Sequence, residues 1–171
     1  MPPSRTDFRE AMAHLPAAVN ILTTDGPNGR CGITLSAVCS VTDDPPTVLV
    51  CVNRASAMHD VFKANGRVGL NVLGGDQQEL ALHFAGATDV AMADRFAWDV
   101  WDRTQEVPVL KDALVTAVGT IKHTVPMGSH SVLFVDIGQI RARSGGQSLV
   151  YFNRAFHRLG ATPLVPEGAQ S

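Results

Sequence analysis

Apolar and polar positions alternate most clearly between Gly32 and Ser56, through GITLSAVCSVTDDPPTVLVCVNRAS. In an extended chain Ile33, Leu35, Ala37, Cys39 and Val41 share one face, while Thr34, Ser36 and Ser40 share the other. Asp43-Asp44-Pro45-Pro46 then sets a turn, and a second strand delivers Asn53 to a helix opened by Ser56. A strand face of small hydroxyls offers hydrogen bonds without bulk and suits a flat ligand. A helix N-terminus beside Asn53 and Ser56 suits a phosphate.

The same reading extends along the chain. Phe8, Ala11, Met12 and Leu15 fall on one helical face, with Asp7 and Glu10 as a capping box and Pro16 as the stop. Ala17 to Thr24 reads as a strand, Asp25-Gly-Pro-Asn-Gly29 as a tight turn, and the segment from Arg30 as the returning arm of a hairpin. Ser56 to Lys63 predicts a short helix burying Met58, Val61 and Phe62, and Arg67 to Leu73 a strand. Asp76 caps the next helix, which turns Leu80 and Phe84 inward. Residues 86–108 read as a loop excursion. Two long strands follow, Ala113 to His123 and Ser131 to Arg143, joined around Pro126-Met-Gly-Ser129. Gly145-Gly146 precedes a final strand, Leu149 to Phe152. Many strands and few brief helices predict a mainly β fold, a closed antiparallel barrel rather than a parallel sheet with crossover helices.

Composition narrows the function. The chain has 171 residues, of which 45% are hydrophobic, enough for one domain with its own core. We place that domain at residues 5–160 and expect a disordered tail from 161 to 171, where Pro163 and Pro166 stand among few core residues. A net charge of −2 without a clustered basic face speaks against nucleic acid. No run approaches the roughly 18 apolar residues of a membrane span, and Arg5, Asp7, Arg9 and Glu10 interrupt any signal-peptide pattern. These features predict a cytoplasmic protein. Cys31, Cys39 and Cys51 make no C-x-x-C, and the six histidines show no ligand spacing, so no metal is expected.

Single residues leave choices open. Gly26, Gly29 and Gly32 serve hairpin chemistry, because they do not form a dinucleotide-binding fingerprint. Asp43 and Asp44 diverge on a turn and read as geometry rather than paired acids. Ser56 is either a helix cap or a phosphate ligand. His130, after Gly128-Ser129, is a lone histidine at the mouth of a strand, and Arg95 and Arg154 are surface charges or phosphate partners. No nucleophile–base set stands out, which fits chemistry carried by a cofactor.

These stretches together carry a resemblance. Phe8-Arg-Glu-Ala-Met, Ala17-Ala-Val-Asn-Ile-Leu-Thr-Thr, Cys31 through Pro46, His83-Phe-Ala-Gly-Ala-Thr, Ala91-Met-Ala-Asp-Arg-Phe, Pro108-Val-Leu-Lys and Leu149 through His157 resemble the short-chain flavin reductases of two-component monooxygenases. The resemblance spans nearly the whole chain. It implies a split β-barrel with Greek-key antiparallel strands, a homodimer, and reduction of FMN or FAD by NADH or NADPH for a separate oxygenase. It also implies roles for residues. Thr34, Leu35, Ser36 and Ala37 would border the isoalloxazine; Cys51, Val52, Asn53, Ser56 and Ala57 would take the ribityl chain and phosphate. Phe84, Ala85 and Gly86 would close the pocket, Arg95 would reach the nucleotide end, and His130 would lie near the nicotinamide. Ser129 stands where relatives often carry an acidic residue or threonine, which leaves nicotinamide preference open. Ala91–Phe96 and Pro108-Val-Leu110 favour an aromatic-hydroxylation system over the related reductases of pyrimidine degradation. A non-catalytic flavin- or haem-binding barrel is the rival of another class, although no histidine stands out as an axial ligand.

Overall fold

In the computed structural model, which describes residues 1–160, the alternating segments form one curled antiparallel sheet. The elements in order are α1 (Arg5–Ala13), β1 (Ala17–Ala18), β2 (Asn20–Thr24), β3 (Cys31–Leu35), β4 (Val38–Asp43), β5 (Pro46–Asn53), α2 (His59–Asn65), β6 (Arg67–Val72), α3 (Gln78–Phe84), α4 (Met92–Ala97), β7 (Trp101–Asp102), β8 (Val109–Leu110), β9 (Val115–Met127), β10 (His130–Ala142), β11 (Ser148–Phe152) and β12 (Ala155–Leu159). Seven strands pair in the order β3-β2-β6-β9-β10-β5-β4, and β1-β11-β12 forms a smaller sheet. β3 and β4 are the two edges, yet only Ser36 and Ala37 separate them in sequence. The sheet therefore bends round until its edges come together at that short link, where β3 and β4 are joined in sequence without pairing to each other. The tail expected at 161–171 lies outside the described residues.

Strand alternation sorts the barrel wall. Val50 and Val52 of β5 point inward with Leu22, Leu70, Leu133 and Val135, and Phe62 of α2 plugs this interior at 0% exposure. Burying a ring that size contributes about 1.5–3 kcal/mol. The outer side of β2 packs against a second cluster, in which Ile21 and Leu73 meet Phe84, Phe96 and Trp101. Both faces of β2 are thus covered, and all five of its residues are buried.

The excursion supplies that second cover. Residues 86–108, expected to be an irregular loop, contain α4 and β7, which pairs with β8 just beyond them. They are sewn down by buried polar side chains. Thr23 donates to the Pro108 carbonyl (2.5 Å), and the Asn71 carboxamide accepts from the Leu110 N–H (2.7 Å). A Cβ at Gly69 would lie 2.6 Å from Thr23 Oγ1 and 3.0 Å from the Pro108 oxygen, so only glycine lets the excursion sit so close.

Three local expectations are corrected, and one helix face proves exposed. Ser4 and Asp7 form the capping box of α1, not Asp7 and Glu10, because the helix begins at Arg5. Its apolar face is not buried: Phe8 and Met12 are 57% and 45% exposed. Helix α3 starts behind Gln77 rather than Asp76, with no side-chain cap. Finally, β12 extends the carboxyl-terminal strand into a hairpin that weak alternation in AFHRL conceals.

Candidate functional site

The bend between β3 and β4 builds the site. Leu35 is the last residue paired with β2 and Val38 the first paired with β5. Between them Val38 N–H donates to the Ser36 carbonyl (2.9 Å) and Cys51 N–H to the Ala37 carbonyl (3.0 Å). The single strand expected through Ile33 to Val41 is divided here into β3 and β4, and Ser36 and Ala37 are both exposed. Two clefts meet at Ser36. One, of about 550 Å³, is walled by Pro16, Ala18, Asn20, Ala37, Cys39 and Cys51 among others. The other, of about 310 Å³, is walled by Thr34, Leu35, Leu82, Ala85, Tyr151 and Phe156 among others. Small apolar side chains with a few polar groups make walls suited to a flat, largely apolar ring system.

The residues singled out from the sequence divide into groups. Thr34, Leu35, Ser36, Ala37, Cys51 and Ala85 come together on the joined clefts. The Thr34 hydroxyl is already committed, donating to the Ala81 carbonyl at 2.7 Å and tying β3 to α3. Burial raises the Cys51 thiol pKa above its ordinary value. Val52 and Phe84 belong to the cores behind the clefts at 1% exposure each, so they shape the walls from the rear. Gly86 follows Ala85 at φ +77°, a left-handed turn that ends α3. Arg95 is buried; its Nε donates to the Val90 carbonyl (2.9 Å) and its guanidinium lies 5.7 Å from the Phe84 ring centroid.

Asn53, Ser56, Ala57 and His130 lie at the far end of β5. The expected helix start at Ser56 is corrected: α2 begins at His59, behind a turned segment. Asn53 Oδ1 accepts from Ala55 N–H (2.9 Å) and Ser56 Oγ from Met58 N–H (3.3 Å), so each side chain shapes that turn. Ala57 is exposed. His130 begins β10 directly opposite Asn53, exposed, with Ser129 Oγ 2.9 Å from its Nδ1.

Some site groups escaped the sequence reading. Asn20 is 2% exposed on the larger cleft, and its amide nitrogen donates to the Ala18 carbonyl at 2.9 Å. A lone carboxamide in AAVNILTT was the available signal. Tyr151 and Phe156, edge-to-face at 5.2 Å, close the smaller cleft from the missed hairpin. His59 and Ser131, distant in sequence, meet in the interior at 2.9 Å. Among the described residues no cluster of His, Cys, Asp or Glu is placed to hold a metal, and no helix is long and apolar enough to cross a membrane.

A curled antiparallel barrel with an apolar cleft at its seam is the architecture this chain shares with solved flavin reductases. The chain belongs to the flavin reductase-like domain family, whose profile matches residues 12–160. It is 52% identical over 158 residues to the reductase component of 4-hydroxyphenylacetate 3-monooxygenase of Pseudomonas aeruginosa, covering 92% of this chain and 93% of that one. It is also 44% identical to the FMN reductase (NADH) RutF of Stutzerimonas stutzeri, covering 94% and 92%. Among solved structures it is similar to BorF, the flavin reductase component of a bacterial two-component tryptophan halogenase, with a TM-score of 0.86, 25% identity, and 93% and 100% coverage. The protein is a flavin reductase, and the split-barrel expectation holds.

Proposed function

We propose that this reductase uses NADH to reduce FMN or FAD in the joined clefts around Ser36 and releases the product to a separate aromatic-hydroxylating oxygenase. The observation that carries this reading is the shared rim: Ser36 belongs to both clefts, at the point where the barrel edges meet. The 4-hydroxyphenylacetate and RutF relatives support the oxygenase partner and the NADH donor. When bound, the flavin supplies the ring system that accepts a hydride from the nicotinamide. The protein's part is to hold and align. Ala37, Ala18 and Leu35 present flat apolar surface, while the Ser36 hydroxyl offers a donor where negative charge develops. The Asn53–Ala57 turn presents the Ser56 hydroxyl and the Ala57 N–H to the phosphate, the N–H groups of Arg54, Ala55 and Ser56 being engaged by Ser129, the Asn53 carboxamide and the Asn53 carbonyl. His130 stands beside Asn53 to orient the nicotinamide. Use of NADPH is a second reading that Ser129 leaves open. The enzyme acts as a cytoplasmic homodimer in this proposal; the exposed apolar Phe8, Met12 and Met127 support the pairing of two copies.

The assay is NADH oxidation with added FMN or FAD. Wild-type protein oxidises NADH only when flavin is present. His130→Ala raises the KM for NADH roughly tenfold, the loss of about one positioning contact, and leaves the flavin Kd within a factor of two or so. No flavin-dependent oxidation refutes the reductase role, and an unchanged KM removes His130 from the site.

A further inference from the structure

A third cleft, of about 670 Å³, opens between the Asn53–His59 segment, α2 and the β9–β10 hairpin. Its character differs from the joined clefts. Arg54 and Lys63 stand on one side, Ser129 and Thr124 on the other, and His59 and Ser131 form the floor. That floor is built rather than incidental: His59 is 5% and Ser131 2% exposed, and Nε2 and Oγ lie 2.9 Å apart. The other imidazole nitrogen lies 2.8 Å from Asp60 Oδ1, so the one acid on the cleft is engaged with the histidine. Arg54 reaches across to the Gly128 carbonyl at 3.3 Å. Among the described residues neither Arg54 nor Lys63 pairs with a carboxylate. Two cations without a carboxylate partner over a polar floor form an anion site of ordinary ligand size, which is roughly 300–1,000 Å³, and Asn53 joins it to the turn assigned above to the flavin phosphate.

We propose that this cleft receives the adenylate–phosphate arm of a dinucleotide, and that Arg54 and Lys63 select for a second phosphate beyond the one FMN carries. The inference rests on the placement of flavin given above. FMN ends at the Asn53–Ala57 turn, whereas a dinucleotide continues past it into the charged cleft. The arm belongs either to FAD or to the nicotinamide donor, whose anionic chemistry is the same.

The test is flavin fluorescence titration of the intact protein with FMN and with FAD, for wild type and Arg54→Ala/Lys63→Ala, together with the KM for NADH measured with FMN. Both side chains are exposed, so the double variant folds, which circular dichroism checks. If the arm is FAD's, its Kd rises roughly five- to tenfold, the combined scale of two surface ion pairs. FMN stays within about twofold, and the FAD-to-FMN difference shrinks as salt is raised. If the arm is the nicotinamide's, the KM for NADH rises instead by a similar factor. Equal weakening of FMN and FAD overturns the proposal, since the cations would then serve the shared phosphate. No change in any constant overturns it too. Absence of all flavin binding in wild type refutes the underlying site, a different outcome from either.

Discussion

Cys39 and Cys51 face the same cleft from adjacent strands but meet different surroundings. Cys39 is exposed, Cys51 is half-buried with its pKa raised by burial, and Cys31 lies in the core with its thiol pushed up to about 11. Thiol reactivity follows thiolate fraction and access. Iodoacetamide should label Cys39 first, Cys51 more slowly and Cys31 not until unfolding. Bound FMN should protect Cys39 and Cys51 together. Mass-spectrometric mapping checks both, and unprotected Cys51 in saturating FMN would move the ring away from Ser36. At this scale the sequence was informative about residue types but not about their direction. Thr34 reads as a ligand hydroxyl until its bond to the Ala81 carbonyl is seen. Val52, next to Cys51, turns to the other side of the wall because successive strand residues alternate.

Elements add a dependence that no single residue carries. The excursion covers β2 only because Thr23 and Asn71 supply its backbone with partners in a dry interior. Asn71 is 0% exposed; it accepts from Leu110 N–H and donates to the Ile21 carbonyl at 3.0 Å. Asn71→Ala orphans both groups and should destabilise the fold by about 2–4 kcal/mol. Urea denaturation measures this, and a change below roughly 0.5 kcal/mol would show that water or a shift of β8 satisfies them. Long strands such as β9 and β10 were legible from their apolar runs: β10 buries every second residue from Ser131 to Val135, and β9 buries Thr116 to Gly119 together. The short pair β7 and β8 was not, and Ala17–Ala18, read as the start of one strand with β2, forms the separate β1 that pairs with β11. Two-residue strands hold no period, and distant partners decide whether they form.

The whole molecule leaves an apolar surface unpaired. Helix α1 has no buried residue; its Phe8 and Met12 are exposed, as is Leu15 just beyond its end. Leu15 also lines the larger cleft, so an association that covers α1 would border the site. Sedimentation equilibrium should return twice the chain mass for wild type. Phe8→Asp/Met12→Asp should shift it toward the monomer and weaken flavin binding several-fold. A wild-type monomer at micromolar concentration would remove the homodimer.

Local chemistry was enough to specify the strands around Pro45-Pro46, the hairpin at Asp25–Gly29, the small-hydroxyl run at Thr34–Ser36 and the family itself. Each depends on backbone preference or side-chain period over a few neighbouring residues. Closure of the barrel at Ser36–Ala37, the hairpin carrying Tyr151 and Phe156 to the cleft, and the contact of His59 with Ser131 were decided only in three dimensions. They join segments far apart along the chain, and their energies come from burial and hydrogen bonds that exist only once those segments are packed together.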